Sequence, residues 1–292
     1  LIVKNKKIIG KGYHEKFGGP HAEVNAILDA EKKGFNLNGS VLFTTLEPCC
    51  HKNKKTPPCT EIIVSKGIKK VYYGAIDVNP KVNGQGINQL KKNNVKVSFV
   101  NFQNINEKLN RGYSKIITKK QPFVTLKICM TLDGMIYNRS QKNSTIGDSE
   151  QLTHSNNLRK EHDGVLVGIN TIINDNPRLT YRGAVQNIIQ PRPIILDSKL
   201  KTPANSKFIK MRNNPIILTN LSAKSRKAKI LTELGCKVLT LKKISPANIL
   251  KNLIKNNIQS ALIEGGGEVF VDFLKSKMFH ELILYYTEIF MG

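Results

Sequence analysis

Three residues able to bind a soft metal, His21, Cys49 and Cys59, lie far apart along the chain, yet a shared metal requires their donor atoms to meet at one point. Zinc accepts thiolate and imidazole ligands. A structural zinc closes with four protein ligands, whereas a hydrolytic one keeps three and leaves a position for water. Any fold that uses these residues together must bring Cys49 and Cys59 back to the segment that carries His21. Around them the chain reads His21-Ala22-Glu23, Glu47-Pro48-Cys49-Cys50-His51 and Pro57-Pro58-Cys59. Glu23, two residues beyond His21, is close enough to move protons without being a ligand itself.

The local pattern supplies elements that can make this convergence. LIVKNKKIIGKGY alternates and turns like a β-hairpin. Gly18-Gly19-Pro20 breaks it, and His21 to Lys32 reads as a helix with Val24, Ala26, Ile27, Leu28 and Ala30 on its apolar face, stopped by Gly34. Val41 to Thr45 reads as a short strand ending at Glu47-Pro48-Cys49, and a helix runs from Cys59 to Lys66. A strand at Val71–Gly74, a loop from Asn79 to Gly86, a helix around Gln89–Lys92, a strand at Val95–Val100 and a helix from Leu109 to Lys120 complete the first half. Such alternation predicts an α/β layered domain, with sites outside the strand ends.

Pro122 marks a boundary after a basic linker. Beyond it, strands are expected near 123–129, 163–168, 193–197, 215–219, 236–240, 259–263 and 281–287, with helices at 150–161, 224–234, 246–256 and 267–275. The reading therefore has two domains, 1–118 and 119–292, the first expected to lack its N-terminus and the second its C-terminus. Leu1 opens on a strand already under way, and the chain stops just after one. In the second domain, Gly265-Gly266-Gly267 follows a strand and opens a helix, a geometry that lets backbone N–H groups approach a phosphate. Alone the triplet reads equally as a tight turn.

With 46 Lys and Arg against 21 Asp and Glu, the formal charge is +25. Such an excess can serve nucleic acid, but here it is spread in pairs such as Lys69-Lys70, Lys91-Lys92 and Lys119-Lys120, without a recognition motif. Solvated faces, with anionic small ligands as beneficiaries, fit better. No apolar run approaches the roughly 20 residues that span a bilayer, so no membrane partner is expected. Five Cys, three of them in the candidate metal site, suit a reducing, cytoplasmic setting. The sequence leaves homo-oligomer formation open.

His-x-Glu followed by a downstream Pro-Cys is the pattern of zinc nucleobase deaminases. It selects Cys49, directly after Pro48, and sets Cys50 aside. In that pattern two residues separate the cysteines, whereas here CHKNKKTPP lies between Cys49 and Cys59. That long loop, with Thr56-Pro57-Pro58-Cys59, resembles the deaminase half of the bifunctional deaminase/reductase of riboflavin biosynthesis. The order PFVTLK, LDG at 132–134, LRKEHDGVLVGINTIINDNPRLTYR at 158–182, Ile195-Leu196-Asp197-Ser198 and IEGGG resembles its reductase half. The likeness covers nearly the whole chain.

The resemblance implies a cytidine-deaminase-like three-layer domain followed by a dihydrofolate-reductase-like α/β domain. It implies zinc-dependent deamination of a ribosylated diaminopyrimidinone phosphate, then NADPH-dependent reduction of its ribosyl group to ribityl. The implied roles are Glu23 as proton shuttle and His21, Cys49 and Cys59 as zinc ligands. Cys129, Thr145, Thr171, Asp175, Ser198 and the glycines 265–267 would meet NADPH. His14, His51 and Lys55 would meet substrate in the deaminase half, and Arg159, Leu179, Arg182 and Glu264 in the reductase half. Two departures stand out: an extra residue among Lys52 to Lys55, and Thr145 in NSTIG where the family carries Trp. The competing readings are a tRNA or cytidine deaminase with an unrelated appended domain, and a zinc-stabilised nucleic-acid-binding module.

Overall fold

The computed structural model describes residues 1–15, 18–52, 56–136, 146–185 and 188–291. The chain divides into two compact units, Leu1–Thr118 and Lys119–Gly292.

In the first unit, β1 (Ile2–Lys4) and β2 (Lys7–Gly10) form a hairpin. Its two turn residues, Asn5 and Lys6, have φ of 50° and 60°, the left-handed pair that matches strand twist in a two-residue hairpin. Then come α1 (Ala22–Lys32), β3 (Val41–Thr44), α2 (Cys59–Ser65), β4 (Lys70–Tyr73), α3 (Gln85–Lys92), β5 (Lys96–Phe99) and α4 (Gln103–Lys119). The sheet order is β2-β1-β3-β4-β5. The hairpin joins β3 antiparallel, and β3, β4 and β5 run parallel. Ala26, Ile27 and Ala30 of α1, Ile63 of α2 and Leu90 of α3 share one buried cluster with Ile2, Leu42 and Val71 of the sheet. That packing fixes the starts of α1 and α2 beside the end of β3, where the metal-type residues lie.

The second unit contains β6 (Phe123–Thr131), α5 (Ser149–Lys160), β7 (Gly164–Gly168), α6 (Ile169–Asp175), β8 (Arg192–Leu196), α7 (Lys207–Lys210) and β9 (Ile216–Thr219). It continues with α8 (Arg226–Glu233), β10 (Lys237–Thr240), α9 (Pro246–Lys255), β11 (Ser260–Glu264), α10 (Gly267–Ser276) and β12 (Glu281–Thr287). The sheet order is β10-β9-β8-β7-β11-β6-β12, and every adjacent pair is parallel. Side chains alternate between the faces. Leu126, Leu166, Ile194 and Ile263 pack with Leu250 of α9 and Phe273 of α10. Val165, Val167, Ile195 and Leu262 pack with Leu158 of α5, Ile172 of α6, Phe208 of α7 and Leu231 of α8. Both faces are covered, as an all-parallel sheet requires.

Four sequence expectations are corrected. The helix after the 79–86 stretch begins at Gln85, and Gly86 lies inside it. The helix expected from Leu109 begins at Gln103. Helices α6 and α7 were not anticipated: Ile169–Asp175 carries three Ile, a Thr and two Asn, whose intrinsic preference opposes a helix, and α7 has only four residues.

Candidate active sites

The first site forms where β3 ends. His21 is the N-cap of α1, extended at φ −73° and ψ 166°, so its ring projects away from the helix axis. Cys59 opens α2, and Cys49 lies between β3 and α2. The His21 Nδ1 atom lies 3.4 Å from the Cys49 sulfur and 3.4 Å from the Cys59 sulfur. All three donor atoms fall within 4.8 Å of one another. Two ligands at tetrahedral zinc, one nitrogen and one sulfur, stand about 3.6 Å apart given the usual bond lengths. The donor set and its spacing therefore fit zinc. The Cys59 N–H points at the Cys49 sulfur at 3.4 Å, an arrangement that favours thiolate. Both cysteines are buried.

Glu23 sits one turn inside α1, 7% exposed. Its Oε1 accepts from the Thr44 hydroxyl at 3.2 Å, and its Oε2 lies 3.6 Å from the Cys59 sulfur. Burial raises its carboxyl above the ordinary range. Cys49 adds to that, while its own backbone hydrogen bond, His21 and Thr44 pull it down. A cavity of about 330 Å³ borders Glu23 and Thr44, walled by Phe43, Tyr72, Tyr73 and Phe102, at the small end of ligand-pocket sizes. The His14 ring meets His21 edge-on at 5.4 Å, and its Nδ1 faces the Pro20 carbonyl at 3.0 Å. Cys50 faces the Lys81 carbonyl at 3.8 Å and stands apart from the cluster, as does His51. The His51 Nδ1 atom is buried without a hydrogen-bond partner among the described residues. Lys55 lies outside the described residues.

Sequence reasoning missed the support of this site. The Glu47 carboxylate, 3% exposed, accepts four backbone N–H groups. Its Oε2 takes Gly84 at 2.8 Å and Asp77 at 3.2 Å, and its Oε1 takes Gly86 at 2.9 Å and Ile87 at 3.2 Å. This ties the 77–87 segment against Pro48-Cys49. A Cβ at residue 86 would stand 2.0 Å from the Pro48 carbonyl oxygen, so only glycine fits. Asp77 in turn accepts the Tyr113 hydroxyl at 2.9 Å and the Asn79 N–H at 2.8 Å. A buried acid beside a Pro-Cys pair was the one available signal. Its donors lie 30 to 40 residues downstream, beyond any local pattern.

In the second unit the expected residues gather at the carboxyl ends of the parallel strands. Glu264 ends β11, and Gly265 and Gly266, with φ of 93° and 75°, turn the chain into α10. A Cβ on Gly265 would stand 3.3 Å from the Thr171 hydroxyl of α6, so the glycine turn and Thr171 line one place. Asp175 closes α6. Ser198 follows β8, where the fully buried Asp197 accepts from the Lys201 and Thr202 N–H groups and from the Thr202 hydroxyl and so pins the turn. Arg159 grips Glu264 through Nε and Nη2, the shortest contact being 2.6 Å, and donates from Nη1 to the Thr180 carbonyl. Leu179 is buried at φ 56°. Left-handed geometry at a bulky residue is the kind of strain that collects at ligand sites. The Arg182 backbone is held from both sides by Asn156. Cys129 contacts Gln151 at 3.4 Å, and burial raises its thiol. Thr145 lies outside the described residues.

Comparison with known proteins matches the same two parts. The family model of the RibD C-terminal domain matches residues 122–292, and that of the cytidine and deoxycytidylate deaminase zinc-binding region matches residues 1–75. The riboflavin biosynthesis protein RibD of Aquifex aeolicus is 37% identical over all of this chain and 80% of its own length. That of Bacillus amyloliquefaciens is 36% identical over all of this chain and 78% of its own. A solved Thermotoga maritima diaminohydroxyphosphoribosylaminopyrimidine deaminase/5-amino-6-(5-phosphoribosylamino)uracil reductase superposes with a TM-score of 0.83 at 34% identity. It aligns over all of this chain and 80% of its own. Acinetobacter baumannii RibD does so with a TM-score of 0.81 at 31% identity and the same coverage.

Proposed function

We propose that this chain, which belongs to the RibD family of riboflavin-biosynthesis proteins, carries out two successive reactions on one small phosphorylated pyrimidine. The first removes the exocyclic amine of 2,5-diamino-6-(ribosylamino)-4(3H)-pyrimidinone 5′-phosphate by hydrolysis. The second reduces the ribosyl group of the product, 5-amino-6-(5-phosphoribosylamino)uracil, to ribityl with NADPH. The observation that carries the reading is the three-donor cluster of His21, Cys49 and Cys59 with buried Glu23 beside it, in a chain whose other unit has the RibD reductase sequence.

In the deaminase unit, zinc held by His21, Cys49 and Cys59 supplies the Lewis acidity that activates a water for attack. Glu23 takes the proton released by that water and delivers it to the ring nitrogen and then to the departing amine. Its burial suits this task, because a carboxyl raised toward neutrality can both accept and return a proton. His14 and His51, one against His21 and one with an unpartnered buried ring nitrogen, are placed to hold substrate.

In the reductase unit, NADPH supplies hydride. Thr171, Asp175, Ser198, Cys129 and the 265–267 turn would hold it, the turn by offering backbone N–H groups to its phosphates. Arg159 orients Glu264 toward the substrate, and Arg182 supplies a guanidinium for the phosphate. Among the described residues no helix is long and apolar enough to cross a membrane. We place the enzyme in the cytoplasm, with self-association open. The spread of positive charge supports capture of anionic metabolites rather than nucleic acid. The test is to incubate the protein with the diaminopyrimidinone phosphate and follow ammonia release and NADPH oxidation separately. Absence of both, with zinc bound, would refute the reading.

A further inference from the structure

We infer that Tyr285 is the acid that protonates the ribosyl ring oxygen during reduction, and that His154 resupplies its proton from solvent. This rests on the reductase reading above. The balance of that reaction calls for such a group. The bond from C1′ to the ring oxygen breaks, and its electron pair goes to that oxygen. The exocyclic nitrogen lone pair forms a C=N bond to C1′, and hydride from NADPH adds at C1′ and returns the pair to nitrogen. One hydride and one proton enter, so a donor must face the ring oxygen.

Strand register places the candidates. Cys129 pairs with Tyr285, and Lys127 pairs with Glu264. Alternation therefore puts the four side chains on one face of the sheet. Helix α5 crosses that face and meets it row by row: Gln151 with Cys129, His154 with Tyr285, Arg159 with Glu264. Tyr285 thus stands among the residues assigned to cofactor and substrate, at the carboxyl end of its strand. Glu264 is engaged by a guanidinium and is an acceptor, not an acid. The Cys129 thiol is turned to Gln151.

Tyr285 has what the step needs. It is half-buried, so its hydroxyl is reachable. Burial first, then the charges of Glu264 and Cys129, push its phenol up to about 12, so it carries its proton at neutral pH. The Lys127 ammonium stands 5.4 Å from the ring centroid, where it favours the phenolate as it forms. The His154 Nδ1 atom is 2.6 Å from the phenol oxygen, and His154 itself is exposed on α5, which completes a path from water to the hydroxyl.

The experiment measures single-turnover NADPH oxidation on pre-deaminated substrate, with NADPH binding followed in parallel by nucleotide fluorescence. Tyr285→Phe should slow hydride transfer at least ~10²-fold, the usual scale of general-acid help, with NADPH affinity unchanged. His154→Ala, at an exposed helix position, should slow it about tenfold, and added imidazole should restore the rate. A purely structural tie between α5 and β12 would show no rescue. Tyr285→Phe turnover within about threefold of the parent, or a His154→Ala loss that imidazole leaves untouched, overturns the inference. Should Tyr285→Phe lose NADPH binding, the His154→Ala rescue decides alone. A parent enzyme that oxidises no NADPH would instead defeat the reductase reading.

Discussion

Replacing Glu47 by Gln tests whether the metal site is held from outside its ligands. Each Glu47 oxygen accepts two backbone N–H groups, Gly84 and Asp77 on one, Gly86 and Ile87 on the other. A carboxamide has one oxygen and one NH₂ group, so whichever way it turns, its NH₂ faces two buried donors. Each buried N–H left without an acceptor costs about 1–3 kcal/mol, so the local loss is about 2–6 kcal/mol. At about 1.4 kcal/mol per tenfold, the smaller figure already means roughly thirtyfold more opening of this segment. Hydrogen exchange on the full chain reads this directly. Amides of Gly84, Gly86 and Ile87 should exchange at least ~30-fold faster, with peptides of the reductase unit unchanged. Because the Pro48 carbonyl rests on Gly86, zinc should also transfer faster to a chelator. Unchanged exchange at 84–87 together with unchanged zinc release would show that Glu47 does not secure Cys49.

Three further outcomes follow from the same geometry. His21→Ala, Cys49→Ser and Cys59→Ser should each lower zinc content and abolish ammonia release, since an open tetrahedral site cannot spare a ligand. Cys50→Ser should be mild, because its sulfur faces Lys81. Metal analysis showing the reverse would exchange the roles of the two cysteines. Glu23→Gln should keep zinc and lose deamination by at least ~10²-fold while reduction of pre-deaminated substrate continues; zinc loss would make Glu23 structural. Arg182→Ala should weaken substrate binding in the reductase by roughly 10- to 150-fold, the worth of one charge-assisted hydrogen bond of about 1.5–3 kcal/mol. Ammonia release should persist, and silencing of both activities in a folded protein would contradict two separate sites.

The metal-type cluster was legible because its members announce themselves chemically and sit at element boundaries. His21 caps α1 and Cys59 opens α2, and both positions follow Pro, which ends one conformation and admits another. The α/β alternation was legible for a similar reason. Val165 to Val167 and Ala261 to Ile263 are continuous buried runs, the pattern of strands covered on both faces. The ends of α4 and the existence of α6 were not. NFQNINEK and INTIIND are rich in Asn, Ile and Thr, whose local preference opposes a helix. In α6, burial of Ile172 overrides that preference, and such an override exists only after the chain has folded.

The start of α3 is the sharper case. VNGQG reads as a loop because it carries two glycines, and glycine weakens a helix interior. The two glycines answer different demands. Gly84, at φ 85°, is the left-handed residue that admits the chain to the helix, while Gly86 is helical and tolerates no Cβ because the Pro48 carbonyl stands where one would be. Its weakness as a helix former is thus the consequence of a contact with the residue that precedes a zinc ligand. The two backbone N–H groups that α3 leaves unpaired at its first turn, Gly86 and Ile87, are the ones Glu47 accepts. Glycine at 86 and glutamate at 47 therefore form one device. The first lets α3 approach Cys49 closely, and the second gives the approaching helix end its hydrogen-bond partners. A Gly86→Ala change should accordingly do to zinc retention what Glu47→Gln does, from the opposite side of the same contact.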